Sequence, residues 1–365
     1  MNKTIFLFIV LIFACFLAAE VKNPDKPLKG DWDLKAQPVW EIGKYGNKSL
    51  ASPELACVFQ DGTVIMHDFK YNKHFVIDGS GKLKTSFAPN GEGPGEVKFS
   101  RGYFSVADKL IVLDLPKLHV FQNDGSYLKS IPLLNRSDRP GVFINENEYI
   151  SYPQSEEGKI IYINMEKGSR KAIKEIPSYT DATTIAGRMA IVIPWSHTEF
   201  VGDYDSRNQR LYYGLNDTYR VHAIDLEGNI MNTFSLEREK REITADMDKE
   251  YRKRNRRESG MLSPEMKKRL PKELSYFRKI QIIDGWVMVF VTNFADYWDD
   301  QQIDIFSLDG TYTYRAIFKP GSGEKIYSTG VFPGIFIRGD YLYTIVSDKK
   351  DDYQLVKYHV SLPSS

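Results

Sequence analysis

Six histidines, His67, His74, His119, His197, His222 and His359, are scattered along the chain. No two stand at i, i+2 or i, i+4, the spacings that bring two imidazoles onto one metal, so the sequence carries no local zinc motif. His67 and His197 are the two expected nearest the centre of the fold, where an imidazole could act on a ligand. Cys57 sits in the apolar run Leu55-Ala56-Cys57-Val58-Phe59. It reads as a buried small hydrophobe, because apolar burial raises a thiol's pKa and makes it inert. Neither a nucleophile motif nor a coherent His/Cys set is present, so no catalytic residue is assigned.

Oxygen donors recur more regularly. Asp68, Asp114, Asn216 with Asp217, Asn293 with Asp296, and Asp348 each follow an apolar β-type run. Asp and Asn at such places cap turns through the local backbone. If the turns converge, the same oxygens could ligate a hard cation such as Ca²⁺, which takes about 6–8 of them. In Asn293-Phe294-Ala295-Asp296-Tyr297-Trp298-Asp299-Asp300, aromatics stand between acids in what reads as a loop. Tyr297 and Trp298 are therefore expected as ligand anchors. The candidate ligand-binding set is His67, Asp114, Asn216, Asp217, Tyr297, Trp298 and Asp348.

The elements that must position these residues come from a repeat. Tyr71–Phe87, Leu115–Ile131, Gly158–Ile176, Thr218–Phe234 and Gln302–Phe318 each join two β-type runs through a small or acidic residue and Gly. A sixth copy, Asp352–Leu362, stops before its second run. Gly79, Gly125 and Gly168 lie about 45 residues apart, the length of one four-stranded propeller blade. The wider gaps contain a loop, Ser178–Ser196, and a charged insertion, Glu237–Lys279. Setting the insertion aside leaves six units of about 50 residues, so an all-β, six-bladed β-propeller is expected. TVIMHD and the runs KLIVLD, EYISYP, RLYYGL, WVMVFV and YLYTIV suit strands buried between blades. The four remaining histidines fall in third strands and are expected to be structural. The last copy lacks an outer strand. Residues 36–43, containing Pro38-Val39-Trp40-Glu41-Ile42, are expected to supply it and close the ring.

Gly91-Glu92-Gly93-Pro94-Gly95-Glu96-Val97, followed by a strand ending in Asp and the hairpin LHVFQNDGSYL, resembles the NHL-type repeat. The detailed match covers the first two units, and the chain is similar to secreted bacterial six-bladed propellers of that kind. The resemblance implies the fold. It also implies, as an alternative to binding, a metal-assisted lactonase or lyase in which turn carboxylates hold the cation. The Gly-rich stretch itself reads as tight turns. A phosphate cradle would need a helix after Glu96, and VKFSRGYFSV is strand-like.

Met1-Asn2-Lys3, the apolar Ile5–Leu17 and Ala18-Ala19 form a secretory leader, residues 1–19, too short for a membrane span of about 20 residues. Ile12-Phe13-Ala14-Cys15 resembles a lipobox, so anchoring through Cys15 is a variant of the same expectation. A net charge of +1 excludes a nucleic-acid-binding surface spread over the whole chain. Charge is concentrated in the insertion, with 15 Lys or Arg against 9 Asp or Glu. ITADMDKEYRKRNRR there suits a helix capped by Thr244, and Ser263-Pro264-Glu265 begins a second. The expected function is a secreted or periplasmic, monomeric propeller binding a protein or small molecule at its channel face, with the basic insertion as a lid.

Overall fold

In a computed structural model, the described residues are 20–364 without 154–157, 178–183, 186–187, 190–197, 248, 250–271, 294–296, 328–333 and 349–351. The leader with Cys15, His197, most of the Ser178–Ser196 loop and most of the charged insertion lie outside them. Most of the described strands form six sheets arranged as a propeller, and two short hairpins, Lys44–Tyr45 with Lys48–Ser49 and Thr184–Ile185 with Arg188–Met189, stand outside them. Blades 1, 2 and 3 are four-stranded meanders: Pro53–Val58 to Leu83–Phe87, Gly102–Val106 to Tyr127–Pro132, and Pro140–Asn145 to Ser169–Glu175. Blade 4 runs from the inner strand Phe200–Asp205 to the outer Ile230–Glu237, and blade 5 from Phe277–Ile283 to Tyr312–Phe318. Blade 6 uses Ile335–Arg338, Tyr341–Ser347 and Tyr353–His359.

Gln37–Ile42 completes blade 6, pairing antiparallel with Tyr353–His359. The N-terminal segment does more than sequence reading anticipates. Val21–Pro24 adds a parallel fifth strand to blade 4 and Asp31–Trp32 does the same for blade 5. This strap is fastened by side chains. Asn23, 6% exposed, donates to the carbonyls of Ser235 and Gly310 and accepts from Tyr312 N–H. Asp25 binds the guanidinium groups of Arg238 and Arg315. Arg238 in turn holds the fully buried Asp304, which also accepts from the Tyr219 and Tyr312 hydroxyls at 2.5 and 2.7 Å.

The core consists of seams between neighbouring blades. Ile303, Ile305 and Met288 of blade 5 meet Ile337, Leu342 and Val356 of blade 6. Val221 and Phe234 of blade 4 meet Val287 and Phe306 of blade 5. Similar clusters join blades 1 and 2, 6 and 1, and 3 and 4. Second strands are therefore buried along most of their length, and throughout in Trp286–Val291, whereas the outer strand Leu83–Phe87 is largely exposed. Each fully buried Leu, Ile, Val or Phe contributes about 1.5–3 kcal/mol, so the ring is held by many equivalent seams.

The hairpin glycine has two duties. Gly125 and Gly310 have φ of +87° and +88°, which L side chains rarely adopt. A Cβ on them would also stand 2.9 Å from Phe87 and 2.7 Å from Phe234, aromatics of the preceding blade's outer strand. In blade 1 this role belongs to Gly81, whose N–H bonds Asp78 and whose neighbour is Trp40 of the closing strand. The repeat is thus measured from Gly81, two residues past Gly79.

The charged insertion is shorter than its sequence limits. Its first residue, Glu237, ends the outer strand of blade 4, and Arg278 and Lys279 belong to the inner strand of blade 5. The flanks are tied together: Ile243 N–H donates to Lys272 O and Leu274 N–H to Arg241 O. Residues 245–247 are helical, and Met247 N–H bonds Thr244 Oγ1 at 3.3 Å, the expected N-cap contact. The second expected helix, at Ser263-Pro264-Glu265, lies outside the described residues.

Candidate functional site

Six inner strands surround a central channel of about 1160 Å³. His67, Asp114, Asn216, Asp217 and Asp348 do not line it. His67 instead stacks on His74 at 4.3 Å, 2% exposed, in the seam between blades 1 and 2. Asp114 accepts the N–H groups of Lys98 and Phe99, and Asn216 Oδ1 accepts that of Glu199. Asp68 does the same for Ala51 and Ser52. In each case the side chain at the end of a second strand holds the segment leading into its own blade's inner strand. Asp348 accepts Asp352 N–H, and Asp217 is half-buried beside Asn216. Tyr297 and Trp298 form a two-residue strand paired with Ile326 and Tyr327, linking blade 5 to blade 6. Among the described residues, no three His, Cys, Asp or Glu side chains come together in a geometry that could hold a metal ion.

The Gly-rich turn is also self-contained. Glu96 Oε2 accepts Gly93 N–H at 2.8 Å, and Glu96 N–H returns to Gly93 O. Gly321-Ser322-Gly323-Glu324 repeats this turn between blades 5 and 6, with Glu324 on Gly321 N–H at 2.9 Å. The motif therefore recurs beyond the first two units. With its amides occupied by its own glutamate, it makes a blade connector.

What does face the channel comes from the inner strands, whose free edges expose carbonyls that need partners. Side chains of adjacent blades supply them. Tyr152 OH of blade 3 donates to Gly202 O of blade 4 at 2.7 Å. Gln281 Nε2 and Lys279 Nζ of blade 5 donate to Ile337 O and Ile335 O of blade 6, at 2.7 and 2.6 Å. Arg338 Nε of blade 6 donates to Val58 O of blade 1 at 3.1 Å, and its Nη2 reaches Ser105 Oγ of blade 2. Asp203 of blade 4 accepts Ile282 N–H of blade 5 at 2.8 Å and its neighbour Tyr204 N–H at 2.9 Å. A polar belt thus runs round the lumen.

Its electrostatics are unusual. Burial first, and then the nearby Arg338 charge, push the Lys279 amine down to about 7. The ammonium also lies 4.2 Å from the Phe336 ring centre and 4.9 Å from that of Phe290. Burial holds the Asp203 carboxyl above the ordinary range despite its two N–H donors. Cys57, at the channel wall, is pushed up to about 12 by burial, in keeping with an inert thiol. Aromatic rings of Phe104, Phe143, Tyr204 and Phe336 fill out the lining.

No protein-family model matches the chain, and no curated protein does. Among solved structures, it is similar to a member of the DUF4221 family from Bacteroides vulgatus, with 10% identity, 90% of this chain and 98% of that one covered, and TM-score 0.56. It is also similar to a protein from Bacteroides fragilis described as exported, with 11% identity, 94% and 100% covered, and TM-score 0.53. A virginiamycin B lyase from Staphylococcus aureus is more distant, with 12% identity, 84% and 79% covered, and TM-score 0.41. At these identities the likeness is one of fold. Among the described residues no helix is long and apolar enough to cross a membrane.

Proposed function

We propose that the chain is an exported, envelope-associated or secreted propeller that binds a small-molecule ligand in its central channel. The observation carrying this reading is the channel itself: about 1160 Å³ walled by charged and aromatic side chains, where apolar packing could have filled it. Cavities of this order, with a few convergent polar groups, are the usual form of a ligand site. The leader pattern of residues 1–19 supports export, as does the likeness to a Bacteroides fragilis protein described as exported. Cys15 would make the anchored form. The remaining basic insertion, bearing Arg252, Lys253, Arg254, Arg256 and Arg257, would attract acidic partners.

The test is equilibrium dialysis of the purified chain against a deproteinised cell extract, with retained compounds read by mass spectrometry. A compound retained near one per chain, and lost in Ser105→Trp and Val142→Trp variants that obstruct the lumen, is the expected result. Folded obstruction variants that retain the same compounds would remove the channel from consideration.

A further inference from the structure

The belt explains why polar side chains face the lumen, but not why two of them are cations. Tyr152 and Gln281 satisfy carbonyls of the next blade as neutral groups, at 2.7 Å each. Lys279 and Arg338 perform the same task while carrying charge, at 2.6 and 3.1 Å to carbonyl oxygen, so the carbonyls do not require the charge. Both side chains are half-buried, and a charge drawn away from bulk water without a counter-ion is costly, so such cations are normally paired. Among the described residues, neither Lys279 nor Arg338 has a carboxylate within ion-pair distance, although other basic groups of the chain do. Asp203, the acid that stabilises charge on Lys279 from blade 4, has both oxygens on backbone N–H groups.

Donor capacity remains on both cations. Lys279 spends one of three ammonium hydrogens on Ile335 O. Arg338 spends two of five guanidinium hydrogens, on Val58 O and Ser105 Oγ. Both side chains line the same cavity, and Arg338 acts electrostatically on Lys279. Guanidinium and ammonium groups left with free donors in a low-dielectric cavity are the usual receptors for carboxylate oxygens.

We infer that the channel binds an organic carboxylate, its anionic group seated between Lys279 and Arg338 and its body against the Phe104, Phe143 and Phe336 walls. This deepens the reading of the channel as a ligand site and rests on it. A proton linkage accompanies it. Lys279 is partly neutral above neutral pH, and an arriving anion stabilises its ammonium form, so binding draws a proton from solution. The charged groups that face Lys279 from packed elements are Arg338 on blade 6 and Asp203 on blade 4, while Arg278 and Gln281 share its own strand. Above pH 7, affinity should fall by up to about tenfold per pH unit.

A matched pair of probes tests this: 4-methylumbelliferyl glucuronide and 4-methylumbelliferyl glucoside, which differ by a carboxylate, titrated calorimetrically into the full chain. The expected result is a preference of at least about tenfold for the glucuronide. It should collapse in Lys279→Met and Arg338→Met and persist in Lys279→Arg. Parent protein should take up a substantial fraction of a proton on binding at pH 8, by comparison of two buffers, and Lys279→Arg none. If Arg338→Met does not fold, Lys279→Met and Lys279→Arg decide the matter. Equal affinity for both probes, with loss in Ser105→Trp, would leave the channel site standing and overturn the anion preference. A glucuronide preference surviving in Lys279→Met and Arg338→Met would place the anion elsewhere and also overturn it. Failure of both probes to bind at millimolar concentration would overturn the carboxylate inference, while the extract dialysis would separately decide the channel reading.

Discussion

The seam between blades 1 and 2 makes the fold sensitive to mild acid. His74 is 1% exposed, with Nδ1 3.3 Å from Ala88 O and Nε2 2.7 Å from Tyr103 OH. One neutral tautomer satisfies both contacts, donating from Nδ1 and accepting the hydroxyl proton at Nε2. Burial, followed by the adjacent His67 ring, lowers its pKa from 6.5 to about 3. His67 is lowered as well, by burial above all, against Asp68 and an Asn72 contact that act the other way. The sign is fixed by which state takes the proton. The unfolded chain protonates these rings below about 6.5 while the folded chain does not, so stability is present above that pH and declines as pH falls. For His74 alone, the loss between pH 7 and pH 5 is about 2 kcal/mol. Lys279, with a folded value of about 7, adds only about 0.4 kcal/mol near the top of this window, and equally in parent and variant. Urea unfolding followed by tryptophan fluorescence at pH 5, 6 and 7 gives the dependence for the parent and for His74→Gln. The variant should be less stable at pH 7, and its pH slope should be shallower by about 2 kcal/mol over the window. A His74 Cε1 proton resonance that titrates near pH 6 in the folded protein, or a variant with an unchanged slope, would refute the reasoning.

Deleting residues 36–43 should lower the unfolding temperature by more than 10 °C or prevent folding, because it opens the blade 6 edge and removes Trp40 from Gly81; calorimetry checks this. Asp304→Ala should cost about 3–5 kcal/mol in chemical unfolding by stranding Arg238 and two tyrosine hydroxyls in the blade 4–5 seam. Gly310→Ala should cost more than about 1 kcal/mol, against near-neutrality for an exposed turn glycine, since it meets both an unfavourable φ and the Phe234 ring. Replacing residues 245–271 with a short Gly/Ser linker should leave the melting temperature within a few degrees, because the strands on either side are already bridged at Ile243 and Leu274; the same variant should lose salt-sensitive affinity for acidic polypeptides.

The ring was readable because its signals are local. A hairpin glycine with an apolar second strand marks each blade, and the unpaired copy at Asp352–Leu362 called for the strand that Gln37–Ile42 provides. The parallel strap could not be anticipated in the same way. Val21–Pro24 and Asp31–Trp32 are four and two residues long, and they are specified by distant partners such as Asn23 with Gly310. The turn acids left two readings open, cap or ligand. In the structure Asp68, Asp114 and Asn216 cap the lead-ins to their blades.

The channel cations were hidden for a physical reason. Arg278-Lys279 follows a basic insertion and reads as its last charge, and only the pairing of Phe277–Ile283 with Trp286–Val291 assigns it to an inner strand. A signal did exist: FRKIQII and IFIR place basic residues inside otherwise apolar β runs. Ordinary strands put such residues on a solvated face, but a propeller's innermost strand has a lumen in place of bulk water. There a long basic side chain can satisfy the carbonyl edge of the next blade and still keep donors for a guest. A neutral side chain satisfies the edge without offering charge, as Gln281 and Tyr152 do. Replacing Lys279 and Arg338 together by glutamine should therefore separate the two roles, sparing much of the ring's stability while abolishing discrimination between charged and neutral ligands. A double variant that melts like the parent and still prefers the glucuronide would show that the two charges are incidental to recognition.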